Sequence, residues 1–288
     1  MKQQLRALYG LAFNPFRPDV PIEALHATGL LDDFIRRIQF AVNDGGFGLI
    51  TGEPGTGKSV AMRLLAHRIG LMRDVTVGSI DHPQSGVGDF YRELGDLFGV
   101  TLTPMNRWGG FKALRKCWAE HISTTMTRPV LLIDEAQEMP SSVFNELRIL
   151  ASERFDSRSL LCVIFAGDQR LPPRFRRHDL LPLGSRIRRR LALDFVEPAQ
   201  LCACLDHLLE AAGNTALMTD ELKRILAEHA AGNHRVLMNM ADELLAAAAQ
   251  RNLPRLDESL FLDVFQPPAT PRAVRSNARR LPAGADAP

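Results

Sequence analysis

The spacing of apolar and polar positions changes period in a regular order along the chain. Residues 30–42 (LLDDFIRRIQFAV) place apolar side chains at helical spacing, and Asn43-Asp44-Gly45-Gly46 ends that helix. Phe47 to Thr51 reads as a short buried strand. A Gly-rich turn follows, then a helix from about Lys58 to Ile69. Asp74 to Ile80 predicts the next strand. Helical patterns come after it at 85–98, around Phe90 and Leu94, and at 109–126, around Phe111 and Trp118. Pro129 precedes a third strand, Val130 to Ile133. Ser141-Ser142 predict the cap of a helix reaching about Arg154, with Glu146 near the capping-box position. Leu160 to Ala166 is a fourth strand. A basic, Pro-containing stretch at 168–190 leads to a fifth, Leu191 to Phe195.

Strands alternating with helices predict an α/β fold, a parallel five-stranded sheet with helices on both faces. After Pro198 the pattern is helical throughout, at about 199–212, 219–230, 234–250 and 257–265, which predicts a small all-helical domain. The expected divisions are an N-terminal segment 1–29, broken by Pro15, Pro18 and Pro21, a core at 30–196, a helical unit at 197–266 and a Pro/Ala/Arg-rich tail at 267–288. That tail lacks apolar periodicity and is expected to be disordered. No internal repeat is visible.

Composition narrows the class. The 288 residues are 45% hydrophobic and 24% charged, ordinary for a globular protein that can bury a sizeable core. A net charge of +2 does not by itself announce a nucleic-acid binder, so local charge must carry that argument. Cys117, Cys162, Cys202 and Cys204 form no CxxC pair and are expected as reduced thiols. No apolar run approaches the ~20 residues that span a bilayer, and MKQQLRALYG lacks the apolar stretch of a signal peptide. The expectation is a cytoplasmic protein without a membrane partner.

The candidate chemistry lies at two strand ends. Gly52, Glu53, Pro54, Gly55, Thr56, Gly57, Lys58 and Ser59, followed by Val60, fit GxxxxGK[ST] at every fixed position, between a predicted strand and a predicted helix. Glycines let the backbone curl so that successive N–H groups face one anion, and the helix adds its positive end. Lys58 would reach the β and γ phosphates of ATP, and the Ser59 hydroxyl would ligate Mg²⁺. The strand Val130–Ile133 ends in Asp134-Glu135, at the edge where open parallel sheets bind ligands. Asp134 would hold the Mg²⁺ shell and Glu135 would polarise the attacking water. The expected activity is therefore Mg²⁺-dependent ATP hydrolysis.

A glutamate directly after the metal aspartate, with an extra strand between loop and acid pair, suits the additional-strand branch of P-loop NTPases. With the helical domain behind it, the chain resembles the AAA+ ATPases, the helical unit being their lid. Within them it resembles the ExeA/GspA-like group, which includes transposition helper ATPases of the TniB, TnsC, IstB and MuB kind. The likeness spans roughly residues 8–265. It rests on Tyr9-Gly10-Leu11 with Asn14-Pro15-Phe16, Leu147-Arg148, Ala166-Gly167-Asp168, Ser185-Arg186-Ile187 and Gly232-Asn233-His234-Arg235. The resemblance implies that Asn14, Pro15 and Phe16 lie by the adenine and that Asp168 is the first sensor, although the family commonly carries an amide there. It implies that Arg235 reaches ATP from the lid, where the family has GNPR. Arg186 would be a finger entering a neighbour's site, with Arg188, Arg189 and Arg190 as competitors. A finger in trans implies a homo-oligomer, ring or filament, with ATP at subunit interfaces.

Two basic regions are candidates for phosphate contact. Arg170 to Arg190 carries eight arginines against one acid, Asp179. Its alternative is a solvated face where subunits pack. Arg107, Lys112, Arg115 and Lys116 form the second, the last three at i, i+3 and i+4 on one helix face. Trp108 either stacks on a sugar or packs. The tail arginines Arg272, Arg275, Arg279 and Arg280 could recruit a partner or touch DNA, the alternative being a basic end that does neither. The resemblance thus implies an ATPase that assembles on double-stranded DNA and presents it to a DDE transposase. The alternatives are a secretion-pathway ATPase like ExeA, a group that typically continues into a membrane span, and a signalling switch ATPase.

Overall fold

The computed structural model describes residues 2–81, 83–102, 106–155 and 157–265. The chain opens with α1 (Lys2–Tyr9), a 3-10 turn (Ile22–Ala24), α2 (Gly29–Val42), β1 (Gly46–Gly52), α3 (Lys58–Gly70), β2 (Val75–Ile80), α4 (Val87–Phe98), α5 (Arg107–Thr124) and β3 (Arg128–Ile133). A second 3-10 turn (Ala136–Glu138) leads to α6 (Ser141–Ala151), β4 (Ser152–Glu153), β5 (Arg158–Ser159), β6 (Cys162–Gly167), α7 (Leu171–Arg174), α8 (Leu181–Gly184) and β7 (Ile187–Leu193). Four helices end the described chain: α9 (Pro198–Ala212), α10 (Asp220–His229), α11 (His234–Arg251) and α12 (Glu258–Phe265).

The five long strands make one parallel sheet in the order β2-β3-β6-β1-β7. Because side chains alternate along a strand, each central strand feeds two cores. Leu131 and Ile133 of β3, with Val163 and Phe165 of β6, join Phe90, Leu94, Trp118, Phe144 and Leu147 from α4, α5 and α6. Val130 and Leu132, with Ile164 and Ala166, face the other way onto Phe34, Ile35 and Ile38 of α2 and Leu64 and Leu65 of α3. This double burial explains why the strands read as continuous apolar runs. Helices α9 to α12 close around Leu201, Leu205, Leu222, Leu226, Leu237 and Leu244, and Tyr9, Leu11 and Phe16 of the N-terminal segment complete that core.

The α/β sheet and the helical unit after it match the expectation, and several local readings are corrected. The fifth strand spans Ile187–Leu193 and not Leu191 to Phe195. It is an edge strand, and a register irregularity between Phe47 and Gly48 inserts an extra residue opposite β1. Ile187 therefore faces one core and Leu191 the other, with three arginines between them. A polar run of that kind is admissible only where one side of the ladder is open. The helix after Ser141-Ser142 ends at Ala151, short of Arg154, and its N-cap is Pro140, without a side-chain capping bond. Glu146 is buried inside it, where it accepts hydrogen bonds from Tyr91 Oη (2.8 Å) and the Arg107 guanidinium, so it does no capping. A short hairpin, β4 with β5, fills the gap before β6. The segment 168–190 holds two single-turn helices, and the N-terminal segment carries α1. The four cysteines are free, Cys162 and Cys204 buried and the other two half-buried. The tail 267–288, with its expected disorder and its four arginines, lies outside the described residues.

Candidate nucleotide-binding site

The turn between β1 and α3 has the shape its glycines predict. Gly55 and Gly57 take φ of +88° and +99°, values that side-chain-bearing residues rarely adopt. Thr56 folds back on Glu53, its Oγ1 donating to the Glu53 carbonyl at 2.9 Å. Helix α3 starts at Lys58, so its first N–H groups open onto the loop. The Lys58 ammonium is buried and curls over the turn, donating to the carbonyls of Gly52 (2.9 Å) and Glu53 (3.1 Å). An incoming phosphate would replace carbonyls with a full anion as its partner, a stronger interaction.

The acid pair lies beside this loop. The Asp134 N–H continues the sheet by donating to Ile80 O (2.9 Å), which fixes the residue at the C-terminal end of β3. Its Oδ2 lies 3.4 Å from Ser59 Oγ, and its Oδ1 accepts from the Glu135 N–H at 2.9 Å. Burial pushes the Asp134 carboxyl up, with the Glu135 charge adding to it and Lys58, Ser59 and the Glu135 N–H opposing it. A hydroxyl and a carboxylate side by side at a phosphate loop form an all-oxygen donor set suited to Mg²⁺, which keeps waters and takes phosphate oxygens as further ligands. Among the described residues no group of three or more His, Cys, Asp and Glu side chains could hold a metal by itself. Glu135 has φ of +48° and stands at the N-cap position of the 3-10 turn that follows, without a side-chain capping bond. Its Oε2 accepts from Gln137 Nε2, while Gln137 Oε1 accepts the Asp168 N–H at 3.2 Å.

Asp168 follows β6. Its carboxylate is held by the Arg170 side chain at 2.8 and 3.1 Å and by the Arg170 N–H at 2.9 Å, and Arg170 also pairs with Glu138. Burial alone would raise the Asp168 carboxyl, but these contacts outweigh it and hold it below the usual carboxylate range. A cavity of about 760 Å³ opens between this corner and the loop, lined by Glu53, Pro54, Asp168, Arg170, Arg174 and Arg177 among others. Arg186 is elsewhere. It directly precedes β7, whose Ile187 pairs with Phe47 at the start of β1, whereas the loop leaves β1 at Gly52. Five strand residues, roughly 17 Å, separate it from its own loop along the sheet. The half-buried Arg186 guanidinium donates to Pro182 O.

The helical unit touches the loop directly. Asn233 caps α11 by accepting from the N–H groups of Arg235 (3.0 Å) and Val236 (3.2 Å), and its Nδ2 donates to Pro54 O at 3.0 Å. The Arg235 N–H also points at Gly55 O (3.4 Å), and its side chain is exposed. A Cβ on Gly55 would overlap Asn233, so the glycine serves the contact with the helical unit as well as the turn. Asn14 donates to Asp242 of α11 at 2.6 Å, and Pro15 and Phe16 are buried. Val60 is half-buried on α3.

Comparison with known proteins accords with this geometry. Residues 42–175 match the family model described as an AAA domain. The fold is that of the AAA+ P-loop NTPases. General secretion pathway protein A of Aeromonas hydrophila is 27% identical over 248 residues, 84% of this chain and 44% of the relative. The chain thus spans less than half the length of that relative. Among solved structures, the Aeropyrum pernix ORC2 protein superposes with a TM-score of 0.71 at 14% identity, covering 87% of this chain and 70% of that one. The Aeropyrum pernix ORC1 protein in complex with DNA gives 0.65 at 15%, covering 87% and 67%.

The second basic region sits on α5. Trp108 and Phe111 stack with ring centroids 5.4 Å apart, Lys112 lies 4.9 Å over the Trp108 ring, and Arg115 lies 5.3 Å over Phe111. Arg107 is paired with buried Glu146, and Arg115 also donates to the carbonyls of Leu150 (2.9 Å), Ile149 (3.2 Å) and Ser152. Lys116 pairs with Glu120 at 3.7 Å on the exposed side. The four basic residues thus share a helix, with two anchored inward, while Trp108 is 63% exposed. Sequence reasoning missed Gln137 and Asn233 as members of the site. Asn233 carried a signal, a side-chain acceptor just before a helix, and Gln137 carried none beyond its nearness to Glu135. Among the described residues no helix is long and apolar enough to cross a membrane.

Proposed function

We propose that this chain is an ATPase that works as an oligomer on double-stranded DNA. The observation that carries the nucleotide half is the meeting of Ser59 and Asp134 at 3.4 Å beside a loop over which the buried Lys58 ammonium curls. In this reading Gly52 to Ser59 bind the phosphates and Lys58 shifts from the loop carbonyls to the β and γ oxygens. Ser59 and Asp134 would hold Mg²⁺, which when bound would neutralise charge on the phosphates. Glu135 accepts the proton of the attacking water as the bond from the γ phosphorus to the bridging oxygen breaks and ADP leaves. Asp168 would orient the water from the γ side, and the exposed Arg235 side chain would reach in from the helical unit.

Arg186 lies too far along the sheet to serve its own loop, which supports its entry into a neighbour's site. That is the physical argument for an oligomer. The DNA half rests on α5, where an exposed tryptophan carries a lysine over its ring, with Lys116 a turn further along. Such a face suits backbone contact plus stacking. The ORC1 neighbour was solved in complex with DNA. The finer reading is a transposition helper that assembles on target DNA and recruits a DDE transposase. The likeness to general secretion pathway protein A favours a second reading, a secretion-pathway ATPase.

Binding of the purified chain to a fluorescent non-specific duplex, with and without ATP and Mg²⁺ across a salt series, separates the two. ATP-dependent binding that falls steeply with salt supports the DNA reading. Absence of binding at low salt, with turnover intact, transfers the conclusion to the secretion-type reading.

A further inference from the structure

Gln137 bridges two pieces of the site that are distant in sequence. Its Nε2 donates to Glu135 Oε2 and its Oε1 accepts the Asp168 N–H at 3.2 Å. The second contact fixes the orientation of the amide, because a backbone N–H can only donate, so the nitrogen must face Glu135. The bridge closes across Gly167, where an added Cβ would overlap Gln137 Oε1 and Leu171. Gly167 is therefore what lets the side chain reach the end of β6. The main chain of Gln137 is pinned as well, its carbonyl accepting from Arg174 at 2.7 Å.

Glu135 needs this help. It stands on a left-handed turn at the end of β3, and a glutamate side chain has three rotatable bonds. A carboxylate that takes a proton from water needs one oxygen aimed at that water. With Oε2 held by Gln137, the carboxylate plane is fixed and Oε1 is the less occupied oxygen to accept.

We propose that Gln137 is a positioning residue for Glu135, anchoring one carboxylate oxygen to the end of β6 so that the other faces the attacking water. This rests on the hydrolysis reading above. The bridge also links Glu135 to the Asp168 backbone, so displacement of that strand end moves the base with it.

The test compares Gln137→Ala, Gln137→Glu, Gly167→Ala and the double variant Gln137→Ala/Gly167→Ala in the full chain. It reads kcat, KM and affinity for a fluorescent ATP analogue. Gln137→Glu keeps the size and the acceptor for the Asp168 N–H but loses the donor and sets a like charge against Glu135. Misplacing a reacting group by about 1 Å costs on the order of 10²-fold in rate. Each single variant should therefore lose roughly that much in kcat while analogue affinity stays within about twofold. Gly167→Ala should cost clearly less in kcat once Gln137 is alanine than it does alone, because the clash with Gln137 is then gone and only the overlap with Leu171 remains. Wild-type kcat in Gln137→Glu overturns the proposal, as does a loss confined to analogue affinity or an additive double variant. A variant that fails to fold leaves Gln137→Glu, the least disruptive change, to decide. A wild-type chain that binds the analogue yet never turns over would sink the hydrolysis reading instead, visible before any variant is compared.

Discussion

The loop Gly52–Ser59 and the arginine-rich stretch 168–190 both looked like phosphate chemistry in the sequence, and they fold into different kinds of structure. In the loop, the groups that would meet an anion are gathered at one point by the backbone itself, through two left-handed glycines and a helix start. In the arginine stretch the charges are taken up by partners within the chain, even where Arg170, Arg174 and Arg177 line the cavity beside the loop. Arg170 holds Asp168 and Glu138, Arg174 donates to the carbonyls of Gln137 and Met139, Arg177 pairs with Asp179, and Arg190 reaches the carbonyls of Ile187 and Gly184. Many of these arginines thus serve the chain's own folding, and Arg186 stands at the far end of the sheet from its own loop. Spacing that dictates backbone shape reports a site. Charge density reports only that partners are needed, and those partners can be internal.

Four substitutions break or sharpen that contrast. The largest effect is expected where one arginine of that stretch acts on another subunit. Arg186→Ala should lower kcat by about 10³-fold or more while sparing ATP affinity, as fingers do in well-studied phosphoryl transfer. If turnover survives, Arg188→Ala, Arg189→Ala and Arg190→Ala identify the finger by the same assay. Next comes Glu135→Gln, which removes the base and should cost roughly 10²–10⁴-fold in turnover with nucleotide still bound. Normal turnover in that variant would take Glu135 out of its role. Lys58→Ala removes a charge-assisted contact to phosphate, about 1.5–3 kcal/mol, and should weaken ATP binding roughly 10- to 100-fold by titration. It should also prevent ATP-dependent assembly, and an unchanged oligomer on addition of ATP would contradict the phosphate site. The smallest effect is Asn233→Ala. Loss of an N-cap costs about 1 kcal/mol, a fall of a few degrees in Tm. Because the same amide ties α11 to Pro54 O, protease cleavage of the lid should also quicken. Unchanged cleavage would show that the lid does not depend on this contact.

Much of the architecture was legible because it rests on periodicity. Burial of β3 and β6 on both faces shows in the sequence as continuous apolar runs, that of β3 bounded by Pro129 and by the Asp134-Glu135 pair, and the helix after the loop starts where Lys58 predicts. The fifth strand was misread because Arg188, Arg189 and Arg190 are incompatible with a buried strand and acceptable on an edge. Glu146 was misread because its partners, Tyr91 and Arg107, lie 55 and 39 residues away. Gln137 and Asn233 escaped for the same reason. Their significance lies in contacts with Asp168 and Pro54, which chain order does not reveal. The basic face of α5 was half legible, since the helical spacing was readable and the inward anchoring of Arg107 and Arg115 was not.

The most direct test of the account is phosphate release by the purified chain at saturating ATP, with and without Mg²⁺, over a protein concentration series that includes Glu135→Gln. The account predicts Mg²⁺-dependent release whose rate per protomer rises with concentration as interfaces complete the site, and its loss in Glu135→Gln with nucleotide still bound. Release that ignores Mg²⁺, or a Glu135→Gln chain that turns over at the wild-type rate, would contradict it.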